Sequence, residues 1–309
     1  MLHLRVIAVV ERADAVLEVF DGSPAVTGVI VLPGAAREPA GDVILCDVAR
    51  EGANEVLERL RGLGIDQSGS IAIEDVAVTL SASAERAAQR APGLGVDAVV
   101  WEEIEHKTGQ ETRLSATFLV LLTVATIIAA IGVLLDQPIL VVGAMVVGPE
   151  FGPLAAICVG LIQRRTAMVA RSAVALLVGF PSAMAATALA TWALTGMGLV
   201  SKAMLLSERP LTDFIWRPDA LSWVVGFLAG IAGILSVTSA RSGALVGVLI
   251  SVTTVPAAAN VAVAAAYRVP AEAVGSAVQL AVNLAAIITA GVLTLAVQRL
   301  WWWRINADR

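Results

Sequence analysis

The sequence predicts an α-helical polytopic membrane protein with a small α+β domain at its N-terminus. Of its 309 residues, 58% are hydrophobic and 15% are charged, whereas soluble proteins carry about 25% charged residues. Residues 1–113 hold 10 basic and 19 acidic side chains (net −9), and residues 114–309 hold 11 and 7 (net +4), which together give the formal charge of −5. An acidic, water-soluble head therefore precedes a membrane body.

The composition also excludes several classes of function. Lysine and arginine form no cluster with interleaved aromatic residues, so we expect no nucleic-acid partner. Cys46 and Cys158 form no spaced pair, and His3 and His106 lie far apart. We therefore expect no disulfide framework, no metal site and no nucleophile–base pair. The protein is predicted not to be an enzyme and to need no cofactor.

Residues 1–80 are predicted to form a cytoplasmic ferredoxin-like domain with the element order βαββαβ. Runs rich in branched residues predict strands at 3–10, 25–32, 42–48 and 70–80. Helical spacing of apolar residues predicts helices at 13–20 and 54–63. The second strand is expected to end at Pro33-Gly34. Such a domain is either a regulatory or dimerising module or a solvated cap that stabilises an oligomer, because fold does not fix role.

The inward helix faces of this domain are predicted from the same spacing. They carry Val16, Leu17 and Phe20 on the first helix and Val56, Leu57 and Leu60 on the second. Residues 81–113 are predicted to be a linker that ends in an interfacial helix over 99–113, with Trp101 at the level of the lipid headgroups.

Six transmembrane helices are predicted within residues 114–304, since crossing a bilayer takes about 20 apolar residues in a helix. The spans are 114–135, 139–161, 172–195, 221–239, 244–266 and 273–300. The connector of residues 136–138 makes the first two spans a tight antiparallel hairpin. Three tryptophans at 301–303, flanked by arginines, predict an anchor at the final exit.

The basic residues predict the orientation. With a cytoplasmic head, the inside loops and tail hold Arg164, Arg165, Arg171, Arg241, Arg299, Arg304 and Arg309, and the outside loops hold Lys202, Arg209, Arg217 and Arg268. Seven against four obeys the positive-inside rule. We expect a multi-pass protein of the inner (cytoplasmic) membrane with both termini in the cytoplasm.

The second predicted span is interrupted at its centre. It contains Gly148, Pro149, Glu150, Gly152 and Pro153, and two prolines make a continuous helix improbable. Broken backbone at membrane depth persists only where protein buries it or a wet cavity solvates it, and an ionisable residue there is a functional hypothesis. The alternative is a proline-kinked structural helix whose carboxylate pairs with a neighbour.

A second copy of this pattern follows. Gly243-Ala244-Leu245 resembles Gly143-Ala144-Met145, and the run from Pro256 echoes the run from Pro153. The body is therefore predicted to be two three-helix repeats with broken second and fifth helices. Because three is odd, the second repeat enters the membrane from the opposite side, which makes the repeat inverted, as in many transporters.

Polar groups accompany both breaks. A half-helix that begins after Gly152-Pro153 would point its positive end at an anion or a carbonyl. Thr253, Thr254 and Asn260 offer neutral ligands around Pro256. Glu150 is the predicted proton carrier or cation partner.

One face of the last span is also polar. Glu272, Ser276, Gln279 and Asn283 are spaced four, three and four residues apart, so they share a helical face. The face either lines a polar path from the outside to the centre or joins helices by hydrogen bonds. We favour helix contact for Ser276 and lining for Gln279 and Asn283.

The run 125–132, the segment Gly143-Ala144-Met145 and the Gly-Pro-x-x-Gly-Pro break resemble a family of hydrophobic-domain membrane proteins, domain of unknown function 389. The run 243–248 through Pro256 is similar to that family's second half. The resemblance covers residues 114–300 and implies the fold of the membrane body. Many members have an apolar residue where this chain has Glu150, and a double proline where it has Pro256.

Two functions from different classes remain open. The first is a transporter or channel for a small solute or ion, with a midplane site formed by Gly148, Pro149, Glu150, Gly152, Pro153, Thr253, Thr254, Pro256, Asn260, Gln279 and Asn283. The second is a membrane-anchored ligand sensor or scaffold that moves no solute. For both functions, the expected partners are the lipid bilayer and further copies of the chain in a homo-oligomer, most simply a dimer.

Overall fold

The computed structural model describes residues 1–76, 79, 81–91, 100–101, 104, 114–238 and 254–307, with side chains as far as Leu300. Two compact units divide the chain. Met1–Ile104, with Thr238–Ala240 and Leu300–Arg309, forms the first, and Glu105–Val237 with Arg241–Arg299 forms the second. The predicted limits at residues 80 and 113 stay predictions.

The first unit is built on a four-stranded antiparallel sheet. Its elements are β1 (Leu2–Ala8), α1 (Val10–Asp21), β2 (Val26–Arg37), β3 (Ala40–Val48), α2 (Arg50–Gly62), α3 (Ile65–Ser68), β4 (Ser70–Asp75) and α4 (Ala82–Arg90). The strand order is β2-β3-β1-β4, and Leu4 of β1 lies opposite Cys46 of β3 and Ile73 of β4. The small antiparallel sheet expected from the sequence is present.

Alternating side chains of the sheet pack against α1 and α2. Leu2, Leu4, Val6 and Ala8 are buried along β1, as period-two alternation requires of a sheet with one covered face. The predicted inward residues of α1 and α2 lie in the same cluster, with Leu17 only partly buried.

Three details of the first unit differ from expectation. The strand β2 continues through Pro33 and Gly34 to Arg37, with register shifts on the way; it is an edge strand, where a missing N–H is tolerated. The strand β4 ends at Asp75 rather than at residue 80. Part of the predicted linker is the helix α4, whose cap Ser81 accepts a bond from Ala84 N (3.4 Å).

The segment predicted as an interfacial helix lies largely outside the described residues. Of the residues that are described, Val100 is buried in the core of the first unit. The backbone N–H of Trp101 donates to Asn54 Oδ1 (3.2 Å). At this point the chain therefore packs on the first unit.

The second unit is helical. It contains α5 (Ala116–Leu134), α6 (Pro138–Val147), α7 (Phe151–Ile162), α8 (Thr166–Gly196), α9 (Lys202–Leu206), a 3₁₀ turn (Asp213–Ile215), α10 (Ala220–Thr238), α11 (Val255–Ala266) and α12 (Pro270–Ala307). Four of these helices, α5, α8, α10 and α12, are long and apolar enough to cross a membrane, and the α6–α7 pair makes five if counted as one span. By length and composition the chain is a helical membrane protein.

The fifth predicted span, residues 244–266, is only partly described. Residues 239–253, which include Gly243 to Leu245 and Thr253, lie outside the described part, and α11 has 12 residues. The helices α8 and α12 begin earlier than predicted, at Thr166 and Pro270. The side chains of the three tryptophans at 301–303 are also outside the description.

The interruption of the second span has a local cause. Gly148 is extended (ψ 125°) after α6, because a residue that precedes proline is pushed out of the helical region. The next helix, α7, is bent by 55° from α6. It begins at Phe151, so Pro153 sits in its first turn, where a missing N–H removes no helical bond. The predicted start after Pro153 is therefore wrong.

The described helices repeat at a constant spacing of 104 positions. Ala116 and Ala220 begin helices of 19 residues. Phe151 and Val255 begin helices of 12 residues. Thr166 begins α8 and Pro270 begins α12, so the two halves share one succession of elements.

Local geometry repeats at the same spacing. Arg164 and Arg268 adopt left-handed φ values of 58° and 57° after α7 and α11. In each turn a backbone N–H donates to a carbonyl five residues back at 2.8 Å, from Arg165 to Gly160 and from Val269 to Ala264. The sequence comparison paired Pro153 with Pro256; this spacing instead pairs Pro256 with Gly152.

Candidate functional site

The centre of the candidate site is a contact between Glu150 and Thr254. The hydroxyl Oγ1 of Thr254 donates to Oε1 of Glu150 at 2.8 Å, and both residues are fully buried. Glu150 immediately precedes α7 and Thr254 immediately precedes α11. The two short helices therefore both begin at this contact.

Glu150 and Thr254 are the N-cap residues of α7 and α11. Neither side chain accepts a hydrogen bond from a backbone N–H in the first turn of its own helix. An α-helix leaves its first backbone N–H groups unsatisfied and carries a partial positive charge at that end. Two such helix ends therefore meet at one carboxylate. This is the arrangement expected of a site that holds a buried acid, with the hydroxyl of Thr254 as its hydrogen-bond donor.

Glycine and proline shape the same region. A Cβ on Gly148 would collide with Oε2 of Glu150 and lie 3.0 Å from Cγ2 of Val255, so any larger residue here would displace the carboxylate from its present position. Pro149 is partly buried next to it. Gly152 and Pro153 are buried in the first turn of α7, and Pro256 is buried in the first turn of α11.

A second polar cluster lies further along α11. Asn260 Nδ2 donates to Ser276 Oγ (2.8 Å) and to Glu272 Oε2 (3.4 Å). The guanidinium of Arg209 pairs with Glu272 Oε2 at 2.7 Å, with side chains only 3% and 9% exposed. Six positions separate Thr254 from Asn260, which is about 9 Å along a helix, so α11 joins the two clusters.

The polar face of α12 is buried as a whole. Glu272, Ser276, Gln279 and Asn283 are at most 7% exposed. Gln279 Nε2 approaches Asn283 Oδ1 at 3.4 Å. Of the predicted site residues, the structure thus brings Glu150 to Thr254 and places Gln279 and Asn283 further along α12. It places Asn260 against Ser276, the residue for which we favoured helix contact. Thr253 lies outside the described residues.

Sequence reasoning missed Arg209, which it placed in an outside loop. The residue lies between α9 and the 3₁₀ turn, and it is 4% exposed. Its partner is 63 positions away, and a lone arginine in a connector carries no pattern that would identify such a pair. The acidic residue Glu272 on the polar face of the last span could have indicated that a basic partner exists, because a buried charge needs a partner of opposite charge.

Oxygen atoms dominate the chemistry of both clusters. Carboxylate, hydroxyl and amide oxygens can exchange a proton or coordinate a hard cation. Among the described residues, no group of three or more His, Cys, Asp or Glu could hold a metal ion.

The chain was compared with known proteins. No curated protein matches it, and no solved structure matches it. A family model, described as Domain of unknown function (DUF389), matches residues 145–289, a stretch that contains both polar clusters. The resemblance drawn from the sequence is confirmed over these residues, which match the DUF389 family model.

Proposed function

We propose that the protein is a membrane transporter or channel for a small solute or ion, with its central site at Glu150 and Thr254. The observation that carries the proposal is the 2.8 Å contact between these two fully buried side chains at the starts of two short helices. Ionisable groups inside membranes are costly and typically mark ion or proton pathways. Glu150 is the proton carrier or cation partner in this proposal.

The repeat supports the same function. Three elements in each half, at a spacing of 104 positions, favour an inverted repeat of two three-helix units, because an odd number of crossings reverses the second unit. Six spans then require the fifth to be completed upstream of α11. In transporters with inverted repeats, substrate sites lie where the broken helices of the two halves meet, and Glu150 and Thr254 are in equivalent positions of the two halves.

The test is flux through reconstituted protein. Proteoliposomes with an internal pH-sensitive dye are given a proton, Na⁺ or K⁺ gradient, and the initial rate is compared for the native protein and Glu150→Gln. We expect native flux above that of empty liposomes and at least about a tenfold loss in the variant, since an amide can neither carry a proton nor pair with a cation as a carboxylate does.

A matched control is Glu208→Gln, which makes the same chemical change at an exposed connector residue. This variant should retain native flux. Equal rates for Glu150→Gln and the native protein, in folded samples, would remove Glu150 from the mechanism. Flux no greater than that of empty liposomes under every gradient would contradict transport of these ions.

The first unit is proposed to be a cytoplasmic ferredoxin-like domain that regulates the membrane body or assembles it. The strand order β2-β3-β1-β4 with antiparallel pairs is that of a split βαβ sandwich. Its edge strand β2 exposes four consecutive apolar residues, from Val29 to Leu32. Exposed edges of this kind pair with a second strand, so we propose a homodimer through β2 of two copies, with both termini in the cytoplasm of the inner membrane.

The same edge also favours the second candidate, a membrane-anchored sensor or scaffold. In that case the protein assembles through β2 and no flux is found with any gradient. The flux assay separates the two functions, because assembly through β2 is common to both.

A further inference from the structure

The connector between α8 and α10 is tied to the membrane unit at three places. Thr212 Oγ1 donates to Asp136 Oδ1 (2.8 Å), and the N–H of Leu211 donates to Asp136 Oδ2 (3.3 Å). A Cβ on Gly275 would collide with the carbonyl of Trp216, so the connector lies directly against α12. The third tie is Arg209. This segment is therefore a strap across the first turns of α12, and it is called the connector strap below.

Arg209 fills a pocket of oxygen atoms with its positive charge. One guanidinium nitrogen pairs with Glu272 Oε2 (2.7 Å), and the other approaches Asn260 Oδ1 (3.5 Å). The Ser276 hydroxyl oxygen accepts a hydrogen bond from Nδ2 of the same asparagine. A carboxylate and an amide oxygen contact this buried cation, and a hydroxyl contacts the same asparagine. These are ligand types of a cation site, here occupied by a side chain of the same protein.

The face below this pocket is more polar in the second half, because only one of the four equivalent positions in the first half, Ser172, is polar. The positions 104 residues before Glu272, Ser276, Gln279 and Asn283 are Met168, Ser172, Ala175 and Gly179. Packing follows this difference, since a Cβ on Gly179 would lie 2.7 Å from Phe118. Arg209 contacts the polar face of α12 at its Glu272 end.

Gln279 supplies an independent sign of a ligand on this face. Its side chain is 4% exposed, and its Oε1 has no hydrogen-bond partner among the described residues. A buried acceptor without a donor costs free energy and calls for an explanation. A solute or its hydration water that passes along the face provides the missing donor.

We propose that Glu272, Asn260 and Ser276 form an outer binding site for a small monovalent cation, and that Arg209 closes the site by occupying it. The proposal rests on the transport function proposed above. Withdrawal of the connector strap removes one positive charge and leaves Glu272 as the local charge, so the site then attracts cations. The ligand class is a small inorganic, ammonium or guanidinium ion, the last because Arg209 itself presents a guanidinium there.

The test is cysteine accessibility, which needs no flux. In a background with Cys46→Ala and Cys158→Ala, Ser276→Cys is labelled in nanodiscs with a cationic trimethylammonium or an anionic sulfonate methanethiosulfonate. With Arg209 present we expect slow labelling. With Arg209→Gln we expect labelling by the cationic reagent to rise at least about tenfold and to exceed that by the anionic reagent, as charged clefts steer ligands. Millimolar guanidinium should slow the labelling of this variant.

Two control variants complete the design. Arg217→Gln removes an exposed charge of the same connector, one paired with Asp213, and should leave labelling slow. Arg209→Gln with Glu272→Gln removes both charges, so that no single charge is left buried; labelling should be fast and should show no preference between reagents.

Several outcomes would overturn the proposal. They are fast labelling while Arg209 is present, unchanged labelling in folded Arg209→Gln protein, and an anionic preference in that variant. Failure of both Arg209 variants to fold would make the ion pair a structural tie and not a closure. None of these results depends on ion flux, so loss of the transport function would be recognised separately.

Discussion

Glu150 and Thr254 occupy equivalent positions in the two halves of the chain, 104 residues apart, and they touch each other through a 2.8 Å hydrogen bond. Each is the residue before a 12-residue helix, and each backbone carbonyl accepts the first bond of that helix, from Leu154 N (3.3 Å) and Ala258 N (3.0 Å). The contact thus fixes where α7 and α11 begin relative to each other. Changes at either side chain should alter both helices.

Thr254→Val tests this contact directly. Valine keeps the shape of threonine but removes the donor to the Glu150 carboxylate, and loss of a buried partner costs about 1–3 kcal/mol. We expect a lower free energy of unfolding in detergent and reduced flux. Thr289→Val is the matched control, because the Thr289 hydroxyl is exposed and bonds only the carbonyl of Ala285 in its own helix. An equal loss in both variants would show that the Glu150 contact contributes nothing specific.

Gly148→Ala tests the space beside the carboxylate. The added Cβ would meet both Glu150 and Val255, so we expect a destabilisation of about 1–3 kcal/mol, as in overpacked cores. Gly143→Ala adds the same group within the preceding helix α6, at a position with nothing within 4 Å. This control should be neutral or stabilising by up to about 1 kcal/mol. Thermal unfolding of both variants in one detergent decides the matter.

Cys46 makes the first unit sensitive to alkaline pH. Burial, and then the charge of Asp47, raise the pKa of the Cys46 thiol from 9.0 to about 12. Since the folded pKa is the higher one, the stabilisation is intact below pH 9 and is lost as pH rises towards 12. Residues 1–91 contain no lysine, tyrosine or second cysteine that would titrate in this window.

We therefore expect the unfolding temperature of the first unit to be flat near pH 8 and to fall above pH 9, and Cys46→Ala to remove much of that fall. Alkylation of Cys46 by iodoacetamide at pH 8 should be at least about 1,000-fold slower in the folded than in the urea-unfolded protein, because the thiolate is the reactive form. Rapid alkylation of the folded protein would contradict this burial.

The exposed edge of the sheet predicts a change of oligomeric state. Ile30→Lys places a charge on the exposed edge of β2, and charged edges resist pairing. We expect the full chain in detergent to shift from dimer to monomer in multi-angle light scattering. Val10→Lys makes the same change at an exposed residue of α1 and should stay dimeric. A native protein that is already monomeric would remove the proposed dimer.

The elements of both units could be predicted from local signals. Branched residues at period two gave β1 and β3, and the apolar runs with Pro149 and Pro153 gave a break within the second span. Proline and glycine also misled: β2 continues past Pro33-Gly34 because it is an edge strand, and α7 begins before Pro153 because the first turn of a helix tolerates proline.

The contacts of the site could not be predicted to the same extent. The predicted pairing of Pro153 with Pro256 was displaced by one residue, since matching prolines do not occupy matching positions in the two halves. Arg209 has no local pattern that links it to Glu272, because the pair forms only when the connector strap folds back onto α12. Periodicity shows which side chains lie on the same face of a helix, but it does not show which residue from a distant part of the chain contacts that face.

The position of Glu150 has one further consequence for how such a chain can change over time. Because positions 150 and 254 are equivalent and in contact, a chain with two identical halves would bring together two copies of the same side chain. Two glutamates at that distance would repel each other, and two threonines would leave the centre uncharged. A single acid with a hydroxyl partner therefore exists only when the halves have diverged at this position, so duplication alone could not have produced the present pair of side chains.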